Sequence, residues 1–286
     1  MSLNKKIDLH MHTTASDGTD NAEEILSRVK EAGISTFSVT DHDSINGCLS
    51  VKKLLKKGDP EFISGVEFSC VDEEGKYHIL GYGYDAEAAS FRSLLDACHA
   101  FRIRRVKMRL DFIKKHFDFD FSEEDKEKIF VLDNPGKPHI ANLMVKYGYA
   151  PSKEEAIKKY LNKYSNAEHR IPPKFAINAI IDAGGIPVLA HPSFGSGEEF
   201  VAGSDMDYRL KKLMSYGLLG LEAFYSGFEK PLTEELLAFA DKYNLYVTAG
   251  SDYHGKNKTV ILGDTHLDPD EQPEGLRRFL QDVGKE

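Results

Sequence analysis

Short apolar runs alternate with amphipathic segments over both ends of the chain, which is the order expected of strands followed by helices. The first helix is predicted between a cap at Asp20 or Asn21 and Gly33, with apolar residues at helical spacing. Further helices are predicted at 49–55, 174–183, 210–216 and 232–243. The predicted strands are 34–39, 62–66, 77–82, 186–190, 218–224 and 245–248. Repeated strand–helix units predict an α/β fold.

Residues 90–173 interrupt this alternation and are predicted to be mostly helical. The longest helical pattern covers 91–116, a later helix runs from Lys137 to Tyr147, and Ser152 caps another that continues to Leu161. The chain is therefore expected to be a core with a helical insert.

The long helix of the insert carries arginines close to its predicted apolar face. On a helical wheel Arg105 lies near the centre of that face, with Arg102 and Arg109 at its edge. A guanidinium is costly to bury unless it meets an anion or a carboxylate, although it can also extend to solvent or form a structural ion pair. The apolar positions are Leu94, Cys98, Phe101, Met108 and Phe112.

Composition narrows the class of protein. The chain has 286 residues, of which 41% are hydrophobic and 29% charged, as in an ordinary globular enzyme. No apolar run approaches the ~18 residues of a membrane span, and no apolar leader opens the chain. Three cysteines without metal-type spacing predict reduced thiols and a cytoplasmic protein.

Charge is unevenly distributed along the chain. The net charge of −9 argues against indiscriminate binding to nucleic acid. Residues 101–174, however, contain 17 Lys and Arg against 11 Asp and Glu, a net of +6 that leaves −15 for the rest. A basic segment in an acidic protein suggests that one part receives anions, although a solvated helical surface would explain many of these charges as well.

Metal-ligating residue types recur at the ends of the predicted strands. Asp8, His10 and His12 share one face of a strand-like run, so the two imidazoles can reach one ion. Six imidazoles and three carboxylates exceed the needs of one tetrahedral ion and suit two or three Mn, Fe or Zn ions, which favour phosphate-ester hydrolysis. The set is His10, His12, Asp17, His42, Glu67, His78, His191, Asp252 and His254.

These motifs together resemble the polymerase-and-histidinol-phosphatase (PHP) superfamily. The resemblance is carried by Asp8-Leu9-His10-Met11-His12, Ser16-Asp17-Gly18, Thr40-Asp41-His42-Asp43, Gly65-Val66-Glu67, His78, Ala190-His191-Pro192 and Ser251-Asp252-Tyr253-His254. It implies a distorted (β/α)7 barrel formed by 1–90 and 174–286, with a trinuclear metal site.

The resemblance also implies how the ligands divide among the ions. The first ion takes His10, His12, Glu67 and Asp252. The second takes Asp17, His42 and His254, and the third takes His78 and His191 and shares Glu67. The attacking hydroxide is held by Asp17, His42, Glu67 and His254. From the surrounding residues, Asp8 is expected to steady a ligand histidine, and Asp43 either does the same or caps the next helix.

The insert, 91–173, resembles one branch of the superfamily, which contains nucleoside 3′,5′-bisphosphate phosphatases and a 5′-to-3′ oligoribonucleotide exonuclease. In that branch the insert is a lid that grips phosphate. The corresponding candidates here are Arg102, Arg105, Lys137 and His139, with Arg170 and Lys174 as weaker ones.

The expected function is hydrolysis of a phosphate ester of a 3′,5′-bisphosphonucleotide or a short 5′-phosphorylated RNA. No membrane and no obligatory protein partner is expected. Three alternatives stay open: a histidinol-phosphate or other sugar-phosphate phosphatase, an amidohydrolase-type C–N hydrolase, and a nucleotide sensor without metals. Phe224-Tyr225-Ser226 at a strand end either lines the pocket or belongs to the core.

Overall fold

The computed structural model describes residues 6–164, 170–195, 199–268, 270 and 272–284. His169 of the insert lies outside these residues. The protein has mixed α/β architecture and divides into two compact units. Unit 1 comprises Met1–Leu95 and Ile171–Glu286, and unit 2 is Asp96–Arg170.

The first sheet of unit 1 is parallel and has three strands. Its strands are β1 (Lys6–Asp8), β2 (Ile34–Phe37) and β3 (Glu61–Phe62), in that order. Two helices connect them, α1 (Ala22–Glu31) and α2 (Asn46–Leu54). Asn21 rather than Asp20 caps α1, because its side chain accepts from the Glu24 amide in a capping box.

The second sheet of unit 1 is mixed. Its five strands lie in chain order: β4 (Gly65–Asp72), β5 (Gly75–Tyr82), β6 (Ile186–Leu189), β7 (Gly220–Tyr225) and β8 (Tyr246–Gly250). Strand β5 is antiparallel to both β4 and β6, whereas β6, β7 and β8 are parallel. The helices are α7 (Pro173–Asp182), α8 (Gly203–Ser215), α9 (Lys230–Tyr243) and α10 (Glu274–Asp282), with a 3₁₀ turn at Gly255–Asn257.

The predicted strand 62–66 is divided between the two sheets. β3 ends at Phe62, and β4 begins at Gly65, where the chain passes very close to the segment after β2. A Cβ at Gly65 would lie 2.1 Å from the Ser38 hydroxyl oxygen and 2.9 Å from the Val39 carbonyl oxygen. Within the described residues, eight strands therefore form two sheets, and the antiparallel β4–β5 hairpin interrupts the predicted alternation of strands and helices.

Backbone hydrogen bonds join the two sheets at both edges. On one side the Leu9 amide donates to the Ala249 carbonyl at 2.8 Å, next to β8. On the other, the Glu67 amide on β4 donates to the Asp41 carbonyl at 3.2 Å, and the Asp43 amide donates to the Glu67 carbonyl at 2.8 Å. These bonds bring the ends of β1, β2, β4 and β8 to one place.

Unit 2 is helical around its own apolar core. Helix α3 (Ala89–Phe117) begins in unit 1 and is followed by α4 (Glu123–Phe130), α5 (Lys137–Lys146), α6 (Lys153–Lys159) and a 3₁₀ turn at Leu161–Lys163. Ser152 caps α6 as predicted, since its hydroxyl accepts from the Glu155 amide. No described helix is both long enough and apolar enough to span a bilayer.

The predicted apolar face of α3 is only partly correct. Leu94 and Cys98 are buried, but Met108 is only partly buried. In unit 2 the fully buried positions are instead Val106, Leu110 and Ile113, which belong to the helical core. Because the helix begins in unit 1 and continues in unit 2, no single apolar face runs along its whole length.

Truncation of Ile113 tests this corrected face. Ile113 is completely buried in the core of unit 2, so Ile113→Ala should lower the free energy of unfolding by about 2–5 kcal/mol. Met108→Ala should cost clearly less, and Val131→Ala, at a position 77% exposed, should stay within about 0.5 kcal/mol. Urea unfolding followed by circular dichroism measures all three. An equal loss of unfolding free energy in Met108→Ala and Ile113→Ala would support the apolar face predicted from the sequence instead.

Candidate metal centre

His10 and His12 follow β1 in an extended segment. Met11 bridges to Tyr253, and the His12 amide donates to the Tyr253 carbonyl at 2.8 Å. The alternation of an extended chain places Leu9 and Met11 in apolar packing, while the two imidazoles point together to the other side, with ring centroids 5.3 Å apart. Both imidazoles are completely buried.

Glu67 lies on β4 beside the loop that follows β2. The backbone bonds between this strand and residues 41–43 bring His42 next to Glu67, with His42 Nδ1 2.8 Å from Glu67 Oε2. Asp43, at φ +52°, turns the chain there and its carboxylate accepts from the Ser69 amide at 2.8 Å. The turn and the strand thus fix each other.

His78 and His191 approach Glu67 from the other side. His78 lies within β5, and the Ala190 amide donates to its carbonyl at 3.0 Å, so His191 follows directly beside it. His78 Nδ1 is 2.9 Å and His191 Nε2 is 3.2 Å from Glu67 Oε1. His191 has φ +27°, an uncommon conformation for a residue with a side chain.

Asp252 and His254 follow β8, and Asp17 follows the His12 segment. Asp252 Oδ1 is 3.5 Å from His10 Nε2 and 3.3 Å from His12 Nε2. Asp17 is half-buried, with its carboxylate oxygens 3.2 Å from His254 Nε2 and 3.8 Å from His42 Nε2. All nine residues singled out in the sequence are therefore brought together in unit 1.

The donor atoms of these residues form overlapping groups compact enough to hold ions. The groups are His10, His12 and Glu67; His12, Asp17, His42 and His254; and His42, Glu67 and His78. The Nε2 atoms of His10 and His12 are buried without a hydrogen-bond partner among the described residues. Because unpaired buried nitrogens are costly and imidazole is a common metal ligand, the donor set fits divalent ions.

Electrostatics at the centre are governed by the carboxylates. Burial raises the pKa of Glu67, but its electrostatic interactions with the imidazoles of His78, His42 and His10 outweigh burial and hold that pKa well below its usual range. Burial lowers the pKa of His10, yet Glu222, Glu67 and Asp252 hold it well above 6.5. Burial lowers the pKa of His12, yet the carboxylates of Asp252 and Glu67, each 3.3 Å from Nε2, raise that pKa to about 9.

Two other histidines have pKa values that are lowered instead of raised. Burial lowers the pKa of His78 to about 4, despite the attraction of Glu67. Burial and the charge of His12 lower the pKa of His254 to about 4, despite Asp17. Their imidazoles are neutral at pH 7, which is the form that binds a metal.

The two supporting aspartates both accept hydrogen bonds from backbone amides. Asp8 is buried and accepts from the Ser251 amide and hydroxyl at 2.9 and 2.6 Å, and from the Gly263 amide at 2.7 Å. It meets His10 only through the His10 amide, at 3.3 Å. Helix α2 begins at Asn46 with Ile45 as its N-cap, so Asp43 does not cap it.

Sequence reasoning overlooked three residues that contact the candidate ligands. Glu222 on β7 accepts from His10 Nδ1 at 3.0 Å, and Lys258 Nζ lies 2.5 Å from Asp252 Oδ2. The third is Asp41, which belongs to the motif Thr40-Asp41-His42-Asp43 but has no role in the sequence analysis. It is buried and accepts from the Ser16 hydroxyl at 2.5 Å, while Ser16 Oγ lies 3.3 Å from His12 Nδ1. Only Asp41 had a sequence signal, its place next to His42.

A cavity of about 220 Å³ opens beside the candidate ligands. Tyr225 lines it and donates a hydrogen bond to Asp252 Oδ2 at 3.0 Å, so its hydroxyl faces the site. Among the described residues that line the cavity, Lys258 is the permanent cation. The lining residues are His42, Glu67, His78, His191, Phe194, Tyr225, Asp252 and Lys258.

The phosphate-binding candidates of the insert lie in unit 2, except Lys174, which lies on α7 in unit 1. Lys137 Nζ donates to Asn162 Oδ1 at 2.7 Å, and His139 Nδ1 accepts from the Gly136 amide at 3.2 Å in a helix cap. Burial, with the nearby charges of Lys153 and Arg102, lowers the pKa of His139. Arg102 and Arg105 are half-buried on α3.

Arg109 is the most buried of the three arginines considered on α3. It is 7% exposed, its guanidinium carbon lies 5.4 Å from the centre of the Tyr164 ring, and Nε has no hydrogen-bond partner among the described residues. Burial lowers its pKa, and the like charge of Arg170 adds to this. The helical wheel placed Arg109 at the edge of the apolar face and therefore underestimated its burial.

The chain matches the family model described as the PHP domain over residues 8–170. It belongs to the PHP family. The match includes six of the nine candidate ligands, from His10 to His78, and most of the insert.

Three characterised relatives align over most of the chain. It is 29% identical to a 5′-3′ exoribonuclease of Haemophilus influenzae, covering 91% of this chain and 94% of the relative. It is 28% identical to a phosphoribosyl 1,2-cyclic phosphate 1,2-diphosphodiesterase of Eggerthella lenta, covering 87% and 94%. It is 26% identical to a 3′,5′-nucleoside bisphosphate phosphatase of Chromobacterium violaceum, covering 87% of each.

Among solved structures, a candidate metal-dependent phosphoesterase of Bifidobacterium adolescentis superposes with a TM-score of 0.79 at 28% identity. The superposition covers 97% of this chain and 96% of the other. The relatives named above all act on phosphoric esters. The PHP protein described here is accordingly a metal-dependent phosphoesterase.

Proposed function

We propose that this PHP protein removes a phosphate from a 3′,5′-bisphosphonucleotide, or releases nucleotides from a short 5′-phosphorylated RNA. The observation that carries the proposal is the convergence of nine imidazoles and carboxylates around Glu67, beside a cavity that contains Lys258. The relatives that act on RNA 5′ ends and on nucleoside bisphosphates support the choice of substrate.

The nine residues would hold two or three divalent ions, Mn, Fe or Zn, divided as the family resemblance implies. Glu67 faces five imidazoles within 3.4 Å, so its two oxygens serve as the shared ligand. When bound, such ions lower the pKa of water and neutralise charge on phosphoryl oxygens. The surrounding carboxylates Asp8, Asp41 and Asp43 keep the ligand-bearing segments in place through backbone and hydroxyl hydrogen bonds.

The chain itself orients the ester. A cavity of about 220 Å³ is smaller than the ~300 Å³ or more of a site that encloses a drug-sized ligand, so it suits the phosphate and not a whole nucleotide. Lys258, whose ammonium group carries three hydrogens, offers hydrogen-bond donors to phosphoryl oxygens there, and the Tyr225 and Phe194 rings give the cavity an apolar wall. The remainder of the substrate has to be bound elsewhere.

The helical insert, 91–173, is proposed as the lid that binds that remainder, with Arg102, Arg105, Lys137 and His139 gripping a second phosphate. Its support is the net charge of +6 over 101–174, the separate compact unit Asp96–Arg170 within it, and the branch resemblance. The two sheets are proposed to correspond to the distorted (β/α)7 barrel of the family, supported by the hydrogen bonds at both of their edges.

A panel of phosphate esters tests the substrate class. Metal-loaded protein should release the 3′-phosphate of adenosine 3′,5′-bisphosphate, or 5′-mononucleotides from a short 5′-phosphorylated RNA, at least tenfold faster than phosphate from 5′-AMP. Phosphate release and chromatography measure both. Preference for histidinol phosphate, for a phosphoribosyl 1,2-cyclic phosphate or for an amide would instead assign the site to another hydrolysis.

Metal content tests the ligand assignment. His78→Ala should remove one ion per chain, because His78 belongs to the group shared with Glu67 and His42, whereas Glu67→Ala should remove more than one. Elemental analysis after dialysis against Mn²⁺ or Zn²⁺ gives the counts. His99→Ala, whose imidazole lies 3.0 Å from the Asp133 carbonyl in unit 2, is the control. An unchanged count in His78→Ala would remove His78 from the ligand set.

The role of the insert is tested with neighbouring arginines on one helix. Arg105→Ala should raise KM for adenosine 3′,5′-bisphosphate by about tenfold or more, since a charge-assisted hydrogen bond contributes about 1.5–3 kcal/mol. KM for a monophosphate substrate should change little. Arg104→Ala, at an exposed position one residue away, is the matched control. Equal effects of the two substitutions on both substrates would contradict a specific phosphate contact.

A further inference from the structure

Glu222 is a buried carboxylate placed between two candidate ligand histidines. It lies on β7 and is completely buried. One oxygen, Oε1, accepts from Nδ1 of the His10 imidazole at 3.0 Å, and the other, Oε2, accepts from the backbone amide of His191 at 2.8 Å. Neither bond belongs to the strand pairing of the sheet.

The bond to His10 determines which imidazole nitrogen is available to an ion. A carboxylate only accepts hydrogen bonds, so Nδ1 of His10 has to carry a proton. Nε2 is then the atom with the free lone pair in the neutral ring. It is also the nitrogen that faces the other candidate ligands, 3.4 Å from Glu67 Oε1 and 3.5 Å from Asp252 Oδ1.

The bond to His191 supports an uncommon backbone conformation. His191 has φ +27°, which non-glycine residues seldom adopt without stabilisation from their surroundings. The Glu222 oxygen binds the amide of this residue, while its imidazole Nε2 lies 3.2 Å from Glu67 Oε1. One side chain thus holds the ring of His10 and the backbone of His191, two neighbouring residues whose Nε2 atoms both face Glu67 Oε1.

The packing leaves Glu222 and His10 little freedom. Gly250, at the end of β8, borders both of them. A Cβ there would lie 2.2 Å from His10 Cβ and 2.3 Å from Glu222 Oε1. Strand β8 can pass this closely only because residue 250 has no side chain.

We propose that Glu222 is a positioning residue that selects the metal-binding tautomer of His10 and fixes the backbone of His191. The inference deepens the proposed function and rests on its metal assignment. Carboxylates that accept from metal-ligating histidines orient the ring and increase its basicity, and their loss costs about 10–100-fold in metal affinity or activity.

Glu222→Gln tests the proposal with almost no change of shape. If the amide oxygen keeps the bond from the His191 amide, the NH₂ group faces His10 Nδ1, which then has to accept, and the proton moves to Nε2. Zn²⁺ or Mn²⁺ affinity, measured by competition with a chelator, should fall about 10–100-fold. Asp207→Asn makes the same chemical change where the partners are Lys242 and Tyr243, and should leave affinity unchanged.

The outcomes separate this inference from the proposed function. Wild-type protein that binds no metal would refute both. Wild-type protein that binds metal while Glu222→Gln binds it equally well would refute only the role of Glu222.

A second measurement needs no substitution. In zinc-loaded wild-type protein with ¹⁵N-labelled histidine, NMR should show His10 protonated at Nδ1 and bound to the ion through Nε2. His10 bound through Nδ1, or without a proton there, would overturn the proposal even if the Glu222→Gln variant fails to fold.

Discussion

The burial of Glu67 among five imidazoles is the interaction on which the rest of unit 1 depends. A carboxylate removed from water is strongly destabilising unless charges and hydrogen bonds compensate for it. The compensating groups come from segments far apart in the chain, at residues 10, 12, 42, 78 and 191. The two sheets therefore have to bring the ends of β1, β2 and β6 and the middle of β5 to one strand, β4.

The backbone at these strand ends is held in conformations that side chains rarely allow. Asp43, His191 and Asp252 all have positive φ, and each lies at or beside a candidate ligand. Such conformations persist where surrounding bonds over-determine them. Here the Asp43 carboxylate accepts a hydrogen bond from the Ser69 amide, and Glu222 accepts one from the His191 amide. The Asp252 amide donates to the His10 carbonyl at 2.8 Å. The centre is thus built from strained turns that support one another.

The candidate ligands could be predicted from sequence because each is marked by the residues next to it in the chain. His10 and His12 follow from strand alternation, and His42, His191 and His254 each follow a short apolar run. Glu222 had no such signal, since a glutamate within a strand is identified as buried only once its partners in space are known. The apolar face predicted for α3 differs from the structure for another reason. A helical wheel assumes one environment, whereas Leu94 lies in unit 1 and Ile113 in unit 2. The antiparallel direction of β5 likewise cannot be predicted from the spacing of apolar residues, because that spacing does not depend on strand direction.

Charge balance connects the centre to an anionic substrate. The carboxyl pKa values of Asp17, Glu67 and Asp252 are held well below their usual range, so these groups are ionised at neutral pH. Protonated His10 and His12, whose pKa values are raised, together with Lys258 offset them. With Glu222 on His10 as a fourth carboxylate, the carboxylates outnumber these three cations, so without ions the centre offers no attraction to a phosphate ester. Exchange of the two imidazole protons for two or three divalent cations leaves an excess of positive charge, which a phosphate can balance. Without metals these carboxylates would repel the substrate, and substrate binding therefore depends on the metals.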